Sequence, residues 1–330
     1  MNLHLSASVG LKRNVETGFF RMQSRNNSFD FARFVAASGV IFGHQFTIAG
    51  YDEPFIRGVS IGTIGVSIFF LMSGFLIFKS IQANDDFYRF LSARILRILP
   101  NLTFVLVATS IVTIVSFANY ANWPLHLSYV SQNLVMLVHG GLPVNITGVF
   151  ETRPLQNINA SLWTLPYEVW CYFILFGILK FMPAFSRQII LALIALSVWV
   201  ALYANVKIPA TALEFHYLGR MGLWFFIGAA FAAFSSNLPF LSSPRFSWFS
   251  KWGDPSYGMY IMGWPIQQFT TVRFTDFWLG MLVSWLIITA LGYATWHIFE
   301  RKALTQVEPL TAYMKRVSKK RPFRSINLTR

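Results

Sequence analysis

Residues 29–51 read FDFARFVAASGVIFGHQFTIAGY, an apolar segment that carries Arg33 and, eleven positions later, His44. At about 1.5 Å per helical residue, the two residues lie roughly 16 Å apart along a helix axis. The segment is long enough to cross a bilayer, which takes about 20 mainly apolar residues. Arg33 then lies near one membrane face and His44 lies past the middle of the apolar layer. An ionisable group there costs at least about 2.5 kcal/mol, so both residues are functional candidates.

Apolar segments of this kind recur along the 330 residues, of which 55% are hydrophobic and only 12% charged. A soluble domain carries about 25% charged residues, so the composition excludes a soluble protein. We predict an all-α, polytopic integral membrane helix bundle with about eight spans, ten at most. The predicted spans are 31–51, 60–80, 99–118, 162–182, 189–204, 217–234, 257–272 and 277–299.

Two further segments are predicted to be helical without crossing the membrane. Residues 124–142 are too polar and broken for a confident span and can form a re-entrant or interfacial helix. Residues 82–98 are long enough for a short helix along the cytoplasmic surface. Residues 1–28 are polar and basic and have no apolar signal-peptide core, so we expect the first span to act as its own insertion signal.

The basic residues predict the orientation of the chain. With the N-terminus inside, inner segments hold 22 of the 27 lysines and arginines, and outer segments hold five. This distribution predicts that both termini lie on the cytoplasmic side of the membrane. The net charge of +14 is therefore attributed to binding of anionic membrane lipids rather than of nucleic acid. The residues predicted to contact anionic headgroups are Lys315, Arg316, Lys319, Lys320, Arg321 and Arg324.

The predicted organisation is a single membrane domain with two flanking segments. Residues 1–28 form a cytoplasmic N-terminal segment, 29–303 the transmembrane domain, and 304–330 a basic cytoplasmic tail. The single cysteine, Cys171, lies inside a predicted span, so no intrachain disulfide is possible.

His44 and Glu168 are the candidates for proton transfer inside the membrane. A neutral imidazole can accept a proton from a hydroxyl near neutral pH. Glu168 lies in SLWTLPYEVW (161–170). Counting residues inward from the two membrane faces predicts that Glu168 and His44 lie within roughly 5 Å of the same depth. A carboxylate at that depth would fix the tautomer of the imidazole. The alternatives are a structural histidine and a glutamate that is protonated or bonded to a neighbouring helix.

Local sequence patterns predict roles for three other residues. Ser73, in GVSIFFLMSGF (65–75), is predicted to allow close helix packing, with a nucleophilic role as the alternative. Arg94 and Arg97, in SARILRILP (92–100), share one helix face and suit the phosphates of a ligand. The alternative is that this pair only sets the orientation of the chain. No Walker loop, dinucleotide fingerprint or metal-spaced cluster is found, so no metal is expected.

Together these elements resemble the membrane-bound acyltransferase family 3. In chain order they are Asp30-x-x-Arg33, Arg33-x10-His44, FFLMSGF (69–75), Arg94-x-x-Arg97 followed by Pro100, LWTLPYE (162–168), SYGMYIMGWP (256–265) and FERKA (299–303). Each motif alone is weak, but seven of them in the order of the family are specific.

The resemblance implies an O-acyltransferase that moves an acyl group, usually acetyl from cytoplasmic acetyl-CoA, to a carbohydrate hydroxyl. Acceptors in the family include exopolysaccharide, lipopolysaccharide and lipid-linked glycans. Arg33 and His44 are implied to be essential. We therefore predict catalytic roles for His44, Glu168 and Arg33, and coenzyme binding by Arg94, Arg97 and Arg33.

Two departures from the family accompany these expectations. The position of a frequent family histidine is Gly263 here, and eight spans are predicted where the family commonly has ten. The rival function is a transporter or flippase for a lipid-linked glycan or organic anion. It accounts for the spans and the buried ionisable groups, but not for the arginine pair together with the ordered motifs. A third reading is an inactive family member that acts as a scaffold.

Overall fold

The computed structural model describes residues 28–139, 145–204, 214–235, 237–238, 241 and 243–320. Within them the chain is helical, apart from connecting segments and one hairpin in which β1 (Phe55–Ile56) pairs antiparallel with β2 (Val59–Ser60). The helices are α1 (Phe29–Ala49), α2 (Ile61–Ala83), α3 (Phe87–Ser116), α4 (Trp123–His139), α5 (Leu165–Phe181), α6 (Ser186–Tyr203), α7 (Phe215–Phe234), α8 (Ser256–Arg273), α9 (Phe277–Thr295), α10 (Arg301–Leu304) and α11 (Val307–Lys320).

The architecture confirms an all-α polytopic membrane protein. Among the described residues, six helices are long and apolar enough to cross a bilayer: Ile61–Ala83, Phe87–Ser116, Ala160–Phe181, Pro183–Tyr203, Phe215–Phe234 and Phe277–Leu304. α1 and α8 cover the first and seventh predicted spans and are more polar, because they carry Arg33, His44, Gln45, Gln267 and Gln268. The count of eight spans and the cytoplasmic termini stay predictions. We call the end of the bundle at which α1 begins the inner end.

α3 corrects the prediction for residues 82–98. A separate surface helix was expected there, but α3 begins at Phe87 and continues past Pro100 to Ser116. Asp86 caps its N-terminus by accepting a hydrogen bond from the backbone N–H of Arg89. The 30 residues of α3 span about 45 Å, which is longer than the apolar layer of a bilayer. Its first turns therefore project beyond that layer without a break in the helix.

α11 packs against these first turns of α3. Arg89 bonds Glu308 at 2.7 Å, Tyr88 bonds Ser318 at 2.6 Å, and Lys315 pairs with Asp86. Of the tail residues predicted to contact lipid, Lys315 is thus held by a carboxylate. Arg316 and Lys319 are exposed, and that prediction stays open for them. The side chain of Lys320 and residues 321 and 324 lie outside the described part of the chain.

α4 occupies the segment predicted to be re-entrant or interfacial. It covers Trp123–His139 and packs against α3 and α5. The last part of the predicted segment, 140–142, lies outside the described residues.

α1 and α2 run antiparallel in close contact, and their register fixes the depth of the site. Near the inner end the rings of Phe29 and Phe75 stack with centroids 5.6 Å apart. Toward the outer end Gly43 packs against Gly62, and the carboxylate of Glu53 fills the notch between them and accepts the Gly62 N–H at 2.5 Å. A Cβ at either glycine would collide with Glu53.

Gly74 and Gly228 bring α2 and α7 into backbone contact. A Cβ at Gly74 would strike the carbonyl of Phe225, and one at Gly228 would strike the carbonyl of Leu71. In a membrane, apolar side chains gain little free energy by moving from lipid to a neighbouring helix. Small residues stabilise helix contacts there because they let the two backbones approach closely. The close packing expected of the Ser73–Gly74 pair is therefore a property of Gly74.

Candidate active site

A cavity of about 120 Å³ lies among α1, α2, α3, α5 and α8. It contains the three arginines predicted to bind the coenzyme together with Glu168 and Ser73. Its lining residues are Arg33, Val66, Phe69, Phe70, Ser73, Leu76, Ile77, Arg94, Arg97, Ile98, Thr164, Leu165, Glu168, Tyr172, Ser256, Tyr257 and Tyr260. Five helices distant in sequence thus converge on one mixed polar and apolar space.

Asp254 joins two of the arginines at the inner end of this cavity. Its Oδ2 atom accepts hydrogen bonds from Arg97 Nη2 at 2.8 Å and from Arg33 Nη1 at 3.2 Å. The carboxyl group is 2% exposed. Burial favours its neutral form, but Arg33 and Arg97 outweigh burial and hold the pKa of Asp254 below its usual range. The two arginines are therefore fixed in place by a shared charged partner.

A second carboxylate completes the pairing of Arg97. Glu300 accepts a hydrogen bond from Arg97 Nη1 at 3.1 Å and another from Asn101 Nδ2 at 2.7 Å. Arg33 has its own second partner in Asp30, at 3.2 Å. Asp254 and Glu300 were not singled out from the sequence. Glu300 lies in the FERKA motif and Asp254 lies two residues before SYGMYIMGWP, but neither motif indicates which arginine it serves.

Arg94 differs from its neighbours because no salt bridge reaches it among the described residues. Its Nε atom is buried without a hydrogen-bond partner. Its guanidinium lies over the ring of Tyr172, 5.6 Å from the centroid. Arg94 also makes a side-chain hydrogen bond to Tyr172, but no carboxylate among the described residues pairs with it, so its other N–H donors can bind an anionic ligand. Arg97 is thus paired with two protein carboxylates, whereas Arg94 has hydrogen-bond donors that no protein carboxylate uses.

Glu168 and Ser73 face each other across the cavity. Ser73 Oγ donates to Glu168 Oε1 at 2.7 Å, and the hydroxyl of Tyr172 donates to the same oxygen. Ser73 therefore lines the cavity as a polar partner of Glu168, and the close helix contact is made by its neighbour Gly74. Tyr172 links Glu168 to Arg94, because the same side chain donates to the carboxylate and supports the guanidinium.

His44 lies on the same face of α1 as Arg33. Eleven residues at about 100° each amount to slightly more than three full turns, so the two side chains project in nearly the same direction. The imidazole packs edge-to-face on Trp264, with ring centroids 5.0 Å apart. It is partly exposed, and its Nδ1 atom is buried without a hydrogen-bond partner. His44 does not line the cavity, which ends before reaching it.

The predicted depth match between His44 and Glu168 is wrong. Gly43 packs on Gly62, so His44 lies near the level of Gly62 on α2. Glu168 bonds Ser73, which is eleven residues further along α2, or roughly 16 Å nearer the inner end. Glu168 thus lies at the level of Arg33. No hydrogen bond joins it to His44 among the described residues.

A Cβ at Gly263 would lie 3.3 Å from Ile41, so α1 and α8 approach closely where the family often has histidine. Within the described residues, no group of three His, Cys, Asp or Glu side chains could hold a metal ion.

Comparison with known proteins decides the family. A family model described as an acyltransferase domain matches residues 26–233, which is more than half of the chain. The chain belongs to this acyltransferase family. The match begins just before α1 and ends within α7, so it includes Arg33, His44, Ser73, Arg94, Arg97 and Glu168.

Two curated relatives support the membership. An O-acetyl transferase of Shigella phage Sf6 is 29% identical over 86% of this acyltransferase and 98% of its own length. Nodulation protein 10 of Rhizobium leguminosarum bv. viciae is 31% identical over 38% of this chain, which is 28% of that protein. No solved structure matches. Asp254, Tyr260 and Glu300 lie beyond the matched family region.

Proposed function

We propose that this acyltransferase transfers an acetyl group from cytoplasmic acetyl-CoA to a hydroxyl of a cell-surface or lipid-linked carbohydrate in the bacterial inner membrane. The observation that carries the proposal is Arg94, a cation in the cavity whose Nε is buried without a partner. The name of the phage relative, an O-acetyl transferase, supports acetyl as the group transferred.

The donor is proposed to enter at the inner end of the cavity. Arg94 binds a phosphate of the coenzyme through its unused donors. Arg33 and Arg97, each held by Asp254, line the same entrance with side chains 20% and 24% exposed. The uncharged pantetheine arm then follows the face of α1 shared by Arg33 and His44. That path is roughly 16 Å long and brings the thioester toward His44.

His44 is proposed as the general base. The acceptor hydroxyl, arriving from the outer side, gives its proton to the neutral imidazole while its oxygen attacks the thioester carbonyl. The new C–O bond forms as the C–S bond breaks, and the thiolate of CoA takes the proton from the imidazolium. Glu168, at the level of Arg33, is proposed to act on the donor side by fixing Tyr172 beside Arg94.

The proposal of a carbohydrate acceptor rests on the resemblance to the family, whose acceptors include exopolysaccharide, lipopolysaccharide and lipid-linked glycans. Mass spectrometry of surface glycans from cells with and without the gene tests it directly. We expect one acetyl increment to be lost without the gene and restored by the wild-type gene but not by His44→Ala. Unchanged glycans would contradict a carbohydrate acceptor.

The purified full chain in lipid vesicles separates an enzyme from the rival transporter or flippase. We expect release of the CoA thiol from acetyl-CoA and transfer of labelled acetyl to added glycan. Movement of a glycan or organic anion across the vesicle without thiol release would instead establish the transporter.

A further inference from the structure

Residues 155–159, which precede α5, lie along one face of α8. Three hydrogen bonds from side chains to backbone carbonyls join the two segments: Asn159 to Ile261 at 2.8 Å, Trp264 to Asn157 at 2.9 Å and Gln268 to Leu155 at 2.7 Å. Ile261, Trp264 and Gln268 follow one another at intervals of three and four residues, which is the spacing of one helix face. We call residues 155–159 the strap.

Pro265 explains why the strap attaches to α8 at this point. In an α-helix the N–H of each residue bonds to the carbonyl four residues earlier, and proline has no N–H. The carbonyl of Ile261, four residues before Pro265, is thus left without its partner inside α8. The amide nitrogen of Asn159 takes that place, and the amide oxygen accepts the N–H of Ser161. Asn159 therefore docks the strap on α8 and caps the turn that leads to α5.

Trp264 connects the strap to His44. Its side chain is buried, its N–H is held by the strap, and its ring meets the imidazole edge-to-face. A histidine that moves protons is normally fixed in tautomer and orientation by a hydrogen bond at its second nitrogen. Among the described residues, the buried Nδ1 of His44 has no such partner. The ring contact with Trp264 is therefore what holds the imidazole in one orientation.

We infer that Trp264 is a positioning residue for His44 and that the strap holds Trp264 in the orientation this role requires. The inference rests on the proposed function, in which His44 is the general base. The arginines proposed to bind the donor line the cavity, which ends before His44. Loss of the ring contact should therefore slow the chemical step and leave binding of acetyl-CoA unchanged. A misplacement of about 1 Å can cost about 10²-fold in rate.

Trp264→Leu is the direct test, with Trp285→Leu as the matched control. Trp285 also packs on α1, but its indole bonds Ser38 and contacts Phe34. Purified full-length protein is assayed with acetyl-CoA and with glycan from cells that lack the gene. Trp264→Leu should lower kcat by about 10²-fold and leave the KM for acetyl-CoA unchanged.

Trp264→Phe keeps an aromatic ring and should retain part of the rate that leucine loses, whereas Trp285→Leu should keep the wild-type kcat. A wild-type kcat in Trp264→Leu, or a KM that rises as much as kcat falls, would overturn the inference.

Asn159→Asp tests the strap without changing Trp264. Aspartate keeps the oxygen that accepts the Ser161 N–H and replaces the donor to the Ile261 carbonyl by a second oxygen. We expect kcat to fall as in Trp264→Leu, by a smaller factor, with the KM for acetyl-CoA unchanged. A wild-type kcat in Asn159→Asp would show that the strap does not hold Trp264 and would overturn the inference.

Adding Pro265→Ala to Asn159→Asp separates positioning from folding. Alanine supplies the missing N–H, so the Ile261 carbonyl is bonded within α8 again. The unfolding temperature, which an unpaired buried carbonyl lowers, should then recover. The value of kcat should stay low, because the strap is still detached. Recovery of kcat together with stability would show that the strap serves folding alone and would overturn the inference.

Wild type and His44→Ala test the proposed function separately. No acetyl turnover by wild type, or full turnover by His44→Ala, would overturn that function and the inference with it. An active wild type and an inactive His44→Ala, together with an unaffected Trp264→Leu, would overturn the positioning role alone.

Discussion

Asp254 Oδ2 lies 2.8 Å from Arg97 Nη2, although 157 residues separate them in the chain. The same oxygen also accepts a hydrogen bond from Arg33. One carboxylate thus ties the start of α8 to α3 and to α1 at the entrance of the cavity. Arg97 donates to protein carboxylates through both terminal nitrogens, and Arg33 donates through Nη1 to Asp30 and Asp254.

Asp254→Asn should destabilise the protein strongly. It removes the charge that compensates two partly buried guanidiniums, and breaking a buried ion pair typically costs about 3–5 kcal/mol. Thermal unfolding in detergent measures the loss. Asp85→Asn is the control, because Asp85 pairs with Lys180 on the exposed surface and its loss should leave the unfolding temperature nearly unchanged. Equal unfolding temperatures for Asp254→Asn and wild type would contradict the role given to Asp254.

Arg94→Ala should weaken acetyl-CoA binding without a comparable loss of stability. Its donors are not used by protein carboxylates, and one charge-assisted phosphate contact is worth about 1.5–3 kcal/mol. The apparent KM for acetyl-CoA should then rise by about 10- to 150-fold. Arg97→Ala is the informative comparison, because it leaves Asp254 and Glu300 without that partner and should lower the unfolding temperature. A KM unaffected by Arg94→Ala would mean that the phosphates bind elsewhere.

His44→Ala should abolish acetyl transfer while the protein still inserts. Removing a general base typically costs about 10²- to 10⁴-fold in rate. Glycan acetylation should be measured together with the amount of protein in the membrane. His216→Ala serves as a control, since His216 pairs with Glu214 at 3.3 Å, away from the cavity. Near-normal acetylation by His44→Ala at normal abundance would remove His44 from the mechanism.

Glu168→Gln should act on donor binding rather than on proton transfer. Glutamine still accepts from Ser73 and Tyr172 but lacks the charge beside Arg94. We expect a raised KM for acetyl-CoA and an unchanged pH profile of kcat. Double-mutant cycles distinguish the partners: effects of Glu168 and Arg94 on KM should be non-additive, and those of Glu168 and His44 on kcat/KM should add. Strong coupling between Glu168 and His44 would instead restore the pairing expected from the sequence.

The sequence predicts the helices well, and it predicts that Arg33 and His44 share one face of α1. Both follow from local properties, namely the length of an apolar segment and the helical period. It also predicts that Arg33 and Arg94 lie toward the same side of the membrane, and both line the cavity. It cannot predict Asp254 or Glu300 as partners, because those contacts depend on how α8 and α9 pack against α3. Glu168 is misplaced in depth because the segment before α5 is a turn of 3₁₀ helix, Ala160–Thr164, and not the outer part of a regular span.

The length of α3 has an energetic consequence for the donor. About 20 residues of helix cross the apolar layer, so counting back from Ser116 brings α3 to its inner boundary near Arg97. Arg94 lies one turn nearer the inner end, but its guanidinium packs on Tyr172 inside the cavity and its Nε is buried. A phosphate of the proposed donor must therefore give up part of its hydration to bind there, and the buried cation offsets that cost. The protein, rather than the surrounding water, thus balances the charge of the donor at the point where it binds.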